Sequence, residues 1–568
     1  VKILYRFGMA LGACALLASC SADKGEDAAS TSADAGAGDA PLGASPDITG
    51  EDLAAHIATL ASDDFEGRAP GTPGGEKTRA YIADAYERLG MRPVGDSFFQ
   101  SVPMVEATLD PETSYFRFNT NGEEKTLEYK KDIVYWTKRV EENLSFENSE
   151  VVFVGYGVIA PEYGWNDYEG LDVAGKTVVM LVNDPGFATQ DPGLFNGNAM
   201  TYYGRWTYKY EQAARQGAAA ALVIHDTAPA AYGWGVVEGS WTGPQLDLER
   251  PDGGAGRVIA EGWLSNEAAR ALFTIAGLDL DALQTAAASS DFKAVPLAGV
   301  TASAELNTAL RRSEDANVIG VIPGAERPEE YVLYMGHWDH LGVNPTTEGE
   351  DKIFNGAVDN ATGVAALLEI AEKFATNDEP PARSLMIAAV TAEESGLLGS
   401  AYMAEDPPVP LKQIVGGVNI DAILPTPPTK DLVVVGSGAS ELEDILSDVA
   451  AKRDMYLRPD AEPEKGYFYR SDHISLAKKG VPMLYADGGF DLRDGGEDAG
   501  KQYGEDYREN DYHKPSDEYD EAWNMEGIAQ TANVLYETGA ALAYSDQWPN
   551  WREGNEFRAL RDAQRADD

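Results

Sequence analysis

Residues 331–359, YVLYMGHWDHLGVNPTTEGEDKIFNGAVD, decide how the chain is read. The stretch opens with an apolar run, 331–335, of the kind that makes a buried strand. The run gives out at Gly336, His337, Trp338 and Asp339. Asp359 follows in Gly-Ala-Val-Asp-Asn, just ahead of residues 362–374. There Val364, Leu367, Leu368, Ala371 and Phe374 repeat with the period of a helix lying on a sheet. An imidazole and a carboxylate at the ends of core elements are directional metal ligands. A carboxylate just before a helix N-terminus is also electrostatically favoured.

The chain beyond supplies partners. A second apolar run, 384–390, stops at Thr391-Ala392-Glu393-Glu394-Ser395-Gly396. A third, 414–420, stops at Asp421, and a fourth, 481–486, follows Ser471-Asp472-His473. Asp511-Tyr512-His513-Lys514-Pro515 then sets a histidine in a loop. Acidic residues and histidines thus recur where apolar runs end. In an open, mostly parallel sheet, the carboxyl ends of the strands are where sites form.

The order His-x-Asp, Gly-x-x-Asp-Asn-Ala-x-Gly, Ala-Glu-Glu-x-Gly-x-x-Gly-Ser, Asn-x-Asp, Ser-Asp-His, Tyr-His-x-Pro-x-Asp resembles the dinuclear zinc exopeptidases. These are metallopeptidase family twenty-eight, which includes bacterial leucine-type aminopeptidases and the glutamate carboxypeptidases. Each motif alone is weak, and their joint order is the signal. The resemblance implies an α/β fold with a mostly parallel central sheet flanked by helices. It implies that Asp359 bridges two zinc ions, that Glu394 and His513 complete one site, and that His337 and Asp421 complete the other. It makes Glu393 the general base and sets Asp339 behind His337 as a support. The implied activity is zinc-dependent hydrolysis of peptides, with release of amino-terminal residues.

These residue types suit that chemistry. Two zinc ions about 3.5–4 Å apart share one carboxylate and one water. Imidazole and carboxylate suit zinc, and open positions mark a catalytic site. A histidine ligand usually donates its other N–H to a carboxylate, a role expected of Asp339. Adjacent glutamates project differently from an extended backbone, so Glu394 can ligate while Glu393 faces the water. Tyr469 and Tyr485 are candidates for oxyanion support, and Asp472 and His473 are read either as groups behind the ligands or on the substrate side, or as purely structural. Ser-Asp-His adjacent in sequence is not a triad, whose members meet in space.

Three rivals share parts of this pattern. A zinc carboxypeptidase acting on acidic dipeptides uses the same ligands but wants arginines at the substrate carboxylate, and the loops here are acid-rich. A glutaminyl cyclase holds a single zinc. A receptor-like binding protein would have lost ligands that this chain retains.

Residues 1–20, VKILYRFGMALGACALLASC, have a basic start and an apolar segment too short to remain as a membrane span. Leu-Ala-Ser-Cys looks like a lipoprotein cleavage box, with Cys20 acylated. Residues 21–48, rich in Ala, Gly, Ser and Asp, read as a flexible tether. The expected location is the cell envelope, on the outer membrane facing the periplasm or exterior, with membrane contact only through the lipid at Cys20. With Cys14 removed, the mature chain can form no internal disulfide, and two cysteines exclude a thiolate zinc finger. The balance of 94 acidic against 45 basic residues gives −49, which excludes nucleic acid and anionic membrane surfaces as partners.

The remaining length calls for more than one domain. Residues 49–121 read as the N-terminal part of the peptidase domain. Thr49 and Asp52 form a capping pattern, and Leu53, Ile57 and Leu60 share a face, with His56 packed beside it. A Gly- and Pro-rich loop, with Arg68 read as solvated and otherwise as binding a carboxylate, leads to a helix at 76–89. Residues 122–300 resemble the β-rich protease-associated domain inserted in members of the same family. Strands are expected at 151–157, 176–182 and 218–224, and helices at 203–214 and 263–272. His225 is read as structural. Tyr202, Tyr203, Trp206, Tyr208, Tyr210, Trp234 and Trp241 are read as packing first, and otherwise as a lid wall. Residues 301–545 read as the catalytic zinc peptidase part, with 487–511 an acidic, Gly-rich loop. Residues 546–568 read as a charged, partly helical tail.

Overall fold

The computed structural model describes residues 47–566, apart from 121 and 348. Cys20, its cleavage box and the tether up to residue 46 lie outside the described residues.

The strand Arg327–His337 lies between Arg383–Val390 and Ile414–Asn419 and runs parallel to both. Met483–Gly488 extends this parallel order beyond Ile414–Asn419. Every residue of Arg383–Val390 and of Ile414–Asn419 is buried, as expected of strands covered on both faces. The register pairs His337 with Val390 and Met335 with Asn419, so these strands give out at one level. Antiparallel strands flank the parallel centre: Val295–Ile322 beside Arg383–Val390, and Asp431–Val434 beside Met483–Gly488. The α/β fold with a mostly parallel core therefore holds, inside a mixed sheet.

Helices Gly50–Leu60, Pro73–Arg88, Gly363–Ala375, Leu442–Lys452 and Met525–Ala543 share one apolar cluster with this sheet. Their ends follow local chemistry. The Thr49 hydroxyl accepts the Asp52 N–H at 3.2 Å, and the Thr72 hydroxyl accepts the Gly75 N–H at 3.2 Å. His56 sits inside the packing, 2.7 Å from the Tyr81 hydroxyl and 3.2 Å from Glu369.

The insert differs from expectation in its borders and build. Val295–Ile322 is one strand of 28 residues. Its first part pairs with Tyr115–Thr120 and Asn143–Phe153, and its second part with Phe99–Leu109 and Arg383–Val390. The border at 300/301 therefore cuts through a paired strand, and that at 121/122 parts Tyr115–Thr120 from its hairpin partner Glu123–Thr126. No Gly or Pro interrupts residues 300–319, so nothing local ends the strand there. The insert is a mixed α/β layer and not merely β-rich. Asn143–Phe153, Thr177–Leu181, Ala220–Ile224 and Ala260–Leu264 are parallel neighbours, flanked by Trp206–Arg215 and Asn266–Ile275. Trp263 and Leu264, expected in a helix, end the strand Ala260–Leu264, where Trp263 pairs with Val134. Ser265 then caps the helix.

Two further expectations are corrected. Residues 487–511 are not a loop throughout, since Gly496–Asn510 is a helix. It buries only Gly500, so no apolar stripe announces it. The tail is part of the core: Trp551 and Arg561 are fully buried, and Arg561 donates to the Ile414 carbonyl at 2.7 Å. No helix of the described residues is long and apolar enough to cross a membrane.

Candidate metal centre and active site

The level strand ends set His337, Glu394 and Asp421 in a cleft of about 1780 Å³, where Asp359, just ahead of the helix Gly363–Ala375, and His513, after the helix Gly496–Asn510, join them. His337 Nε2 lies 3.2 Å from Asp359 Oδ1 and 3.3 Å from Asp421 Oδ1. His513 Nε2 lies 3.3 Å from Asp359 Oδ2 and 3.2 Å from Glu394 Oε2. The two oxygens of Asp359 thus face two different imidazoles. Donor atoms about 2.0–2.1 Å from one tetrahedral zinc are separated by about 3.3 Å. All these contacts match that spacing, so the donor set fits zinc on both sides of Asp359.

Electrostatics agree. Burial disfavours the charge on His513, but hydrogen bonds to Asp359 and Glu394 prevail and push it up to about 10. His337 is likewise held well above its ordinary range, burial being outweighed by Asp421 and Asp359. Acidic oxygens hold protons on these imidazoles where a dication would replace them.

The match to the model of peptidase family M28 covers residues 317–538. The chain carries a peptidase family M28 domain. It is 34% identical over 106 residues to a probable zinc metalloprotease of Pyrenophora teres f. teres (strain 0-1), covering 19% of this chain and 22% of that protein. It is 34% identical over 113 residues to the aminopeptidase NAALADL1 of Mus musculus, covering 19% of this chain and 14% of that protein. The matched stretch thus spans less than a quarter of either relative. Among solved structures, the aminopeptidase from Aneurinibacillus sp. strain AM-1 is similar at 18% identity and a TM-score of 0.45, covering 89% of this chain and 95% of that one.

In the M28 domain, His340 is a residue the sequence reading passed over. Its donors also lie within 4.8 Å of those of Asp359 and Glu394. Its Nδ1 is 2.6 Å from Glu394 Oε1, too short for two ligands of one tetrahedral ion, but the two atoms are not aligned for a hydrogen bond, and both are buried without a hydrogen-bond partner. His513 therefore fits the ligand position, and His340 lies against the other oxygen of Glu394.

Asp339 acts differently from expectation. Its carboxylate is 3.9 Å from His337 Nδ1, beyond hydrogen-bond reach. His337 Nδ1 instead lies 3.1 Å from the Asp339 backbone oxygen. The carboxylate accepts the Glu393 N–H at 3.1 Å and so fixes the backbone of the expected base. Burial, together with Glu394, pushes Asp339 up to about 8. Burial, with Glu394, Asp421 and Asp472 nearby, also holds the Glu393 carboxyl well above its ordinary range.

Other residues brace the donors. Asn360 donates to the carbonyls of His337 and Ile420 at 3.3 and 3.1 Å, and its oxygen accepts from Gly363 and Ala422. Asp517 accepts the N–H groups of Val358 and Asp359 at 2.9 and 3.2 Å. Ser471 donates to Asp421 Oδ2 at 2.6 Å. Arg68, expected at the solvent side, is fully buried. It donates to the carbonyls of Leu60, Trp338, Asn355 and Gly356 at 2.5–3.1 Å, tying the loops after His337 and before Asp359.

Of the substrate-side candidates, Tyr469 and Tyr485 line the cleft, and the Tyr469 hydroxyl donates to Glu556 at 2.9 Å. His473 does not line it. Its ring is fully buried, 4.6 Å from Phe468 and 5.2 Å from Tyr485, and burial lowers it to about 3. Tyr512, not singled out from sequence, stacks on His513 at 3.9 Å. In the insert, Tyr203, Tyr208 and Tyr210 are core, while Trp206 and Trp241 meet edge-to-face at 4.5 Å on the cleft wall. His225 is structural, 3.0 Å from the Tyr232 carbonyl.

Proposed function

We propose that this chain is an aminopeptidase working with two zinc ions, one held by His337, Asp359 and Asp421 and the other by Asp359, Glu394 and His513. The division of the Asp359 carboxylate between two imidazoles carries the reading. When bound, such ions polarise a peptide carbonyl and make water a nucleophile near neutral pH. Glu393 takes the proton from the attacking water and gives it to the leaving amine as the C–N bond breaks. The Glu393 N–H held by Asp339 keeps that carboxylate oriented through both transfers. Tyr512 is exposed at the cleft, where the surrounding walls and the carboxylates of Asp359, Glu394 and Glu393 raise its phenol; it stays protonated and is able to donate to the carbonyl oxygen as charge develops.

The amino-terminal preference rests on Asp487. It lines the cleft, and its Oδ1 is buried without a hydrogen-bond partner. A substrate ammonium would satisfy it. The names of the relatives, a zinc metalloprotease and an aminopeptidase, support the same reading. It includes a protease-associated role for the insert and acylation at Cys20, with the cell envelope as location.

The test combines metal analysis with substrates. Two zinc equivalents per chain and cleavage of leucyl-p-nitroanilide, abolished by N-acetylation of the substrate, are expected. One equivalent with full activity would favour the cyclase. Cleavage of N-acetylated acidic dipeptides would favour the carboxypeptidase.

A further inference from the structure

The strand Pro244–Leu248 lines the cleft and, among the described residues, pairs only with Phe99–Leu109, antiparallel. Its other edge is open. Which backbone groups stand on that edge follows from the register. The Glu249 N–H donates to the Pro103 carbonyl at 2.9 Å, two residues on from the pairing of Asp247 with Val105. In an antiparallel ladder, hydrogen-bonded and open pairs alternate. Gln245 and Asp247 therefore turn their N–H and C=O toward Phe99–Leu109, and Pro244, Leu246 and Leu248 turn theirs away. The far flank of Phe99–Leu109 agrees. There the Asp110 N–H reaches the Asn307 carbonyl at 2.8 Å, which gives Met104, Glu106 and Thr108 to Val295–Ile322.

The chain blocks the open edge at both ends and leaves its middle free. Pro244 has no N–H, and its carbonyl accepts from Gln245 Nε2 at 3.0 Å. The Leu248 N–H donates to Asp247 Oδ1 at 2.8 Å, and Lys138 holds Asp247 at 2.9 Å. Between them the half-buried Leu246 presents one N–H and one C=O, with no partner among the described residues. Open strand edges pair with other chains and are normally shielded. One open pair in the wall of a cleft is too short for a second sheet and suits a single extended peptide.

The sheet sets where this pair stands. Leu246 packs against a cluster that includes Leu248, Leu398 and Ala392, the residue before Glu393. Pro244–Leu248, Phe99–Leu109 and Val295–Ile322 lie in order on one side of Arg383–Val390, the strand that leads to Glu393 and Glu394. Met483–Gly488, with Asp487, lies on the other side, beyond Arg327–His337 and Ile414–Asn419. A peptide whose amino end meets Asp487 thus crosses the metal ligands and runs toward Leu246. At about 4.8 Å per strand, the open edge is about 14 Å from Arg383–Val390, a span of about four extended residues.

We propose that the Leu246 N–H and C=O pair with the substrate backbone about four residues beyond the scissile bond, so that the leaving peptide adds a strand to this edge. Peptides of about five residues or more are then preferred over dipeptides, through their backbone and not their side chains. The inference rests on the aminopeptidase reading for the direction of the substrate.

Calorimetry on the full zinc-loaded chain tests it without turnover. The probes are a hydroxyethylene isostere of leucyl-alanine extended by a run of alanines, the same isostere ending as a simple amide, and the long form N-methylated at each amide in turn. Length should tighten binding by about 5–100-fold, the effect of two hydrogen bonds. Methylation at one amide should cost about 3–10-fold, and at either neighbour, whose N–H points the other way, nothing. Leu246→Pro removes only an N–H on the open side, where an edge strand tolerates proline, and should weaken the long probe by about 3–10-fold. Leu246→Ala keeps that N–H and should bind within about twofold of the unaltered chain. No gain from length, a flat methylation scan, or equal losses in Leu246→Ala and Leu246→Pro would overturn the proposal. A dimer in sedimentation that Leu246→Pro dissociates would also overturn it, by giving the edge to a second copy. Should Leu246→Pro fail to fold, the methylation scan on the unaltered chain decides. A positive scan without hydrolysis of any free-amino peptide would keep the strand edge and remove the peptidase reading. Hydrolysis with a flat scan would do the reverse.

Discussion

At the scale of single residues, neighbouring glutamates separate two roles. Glu394 faces His513 and His340, while the Glu393 backbone is pinned by Asp339. Glu393→Gln should keep its metal and lose turnover by about 100–10,000-fold, with little change in substrate binding. Glu394→Gln should lose zinc from the side shared with His513, and added zinc should restore part of its activity alone. Metal analysis beside steady-state kinetics checks both, and reversed outcomes would exchange the roles. His473 gives a prediction about stability. Burial lowers it to about 3 from an ordinary 6.5, so the folded state keeps it neutral where the unfolded chain takes a proton. Below pH 6.5 the unfolded state binds more protons, and stability falls as pH falls toward 3. From pH 7 to pH 5 this amounts to about 2 kcal/mol. Denaturant melts of the chain and of His473→Gln across that range should differ in slope by that amount, and parallel curves would refute the assignment. The donors were legible because a ligand must stand where a strand stops, and apolar runs mark their own ends. His340 was not, since its partner Glu394 has no fixed spacing to it. Arg68 was not, since its acceptors are carbonyl groups, which every residue has.

Among elements, the site depends on loops stitched across strand ends. Arg68→Met would leave the Leu60, Trp338, Asn355 and Gly356 carbonyls without their donor. Buried acceptors left so should cost about 3 kcal/mol or more. We expect a lower melting temperature and weaker zinc retention together, and a stable variant with normal zinc content would show that the loops hold without it. The helix Gly363–Ala375 was legible from its apolar period, and the strands around it from their composition. The helix Gly496–Asn510 was hidden by its exposure: a polar sequence carries no apolar period, and Gly500 and Gly504 offset the helix propensity of its Glu, Lys and Arg residues. The strand Val295–Ile322 was hidden by its length, because its two halves face different neighbours and read as separate segments.

For the whole molecule, the C-terminal residues matter more than their charge suggested. Trp551 is fully buried, and its indole donates to the Gly480 carbonyl at 3.0 Å. Phe557 packs against it, with ring centres 5.2 Å apart. Removal of each such aromatic costs about 3–5 kcal/mol, comparable in sum to the stability of a whole domain. Truncation after Ser545 should therefore give an unfolded or aggregated product, whereas expression from Asp47 onward should give a folded one. Soluble yield and thermal melts of both read the difference directly. Charge and composition gave the solvated outside of the molecule but were silent on which charged stretches fold back.

The strand Val295–Ile322 has a consequence for how such a protein can be rebuilt. Floor and wall are two ends of one girder, hydrogen-bonded on both flanks through Val300–Glu305 and again through Val318. A girder transmits load but has no seam. Exchanging the wall with that of a relative by cutting near residue 300 would leave half a strand on each side, with its pairing groups open to water. A graft cut in the turns beyond both ends would instead carry the metal floor's neighbour with it. Recombination in this architecture therefore moves specificity and scaffold as one inherited piece.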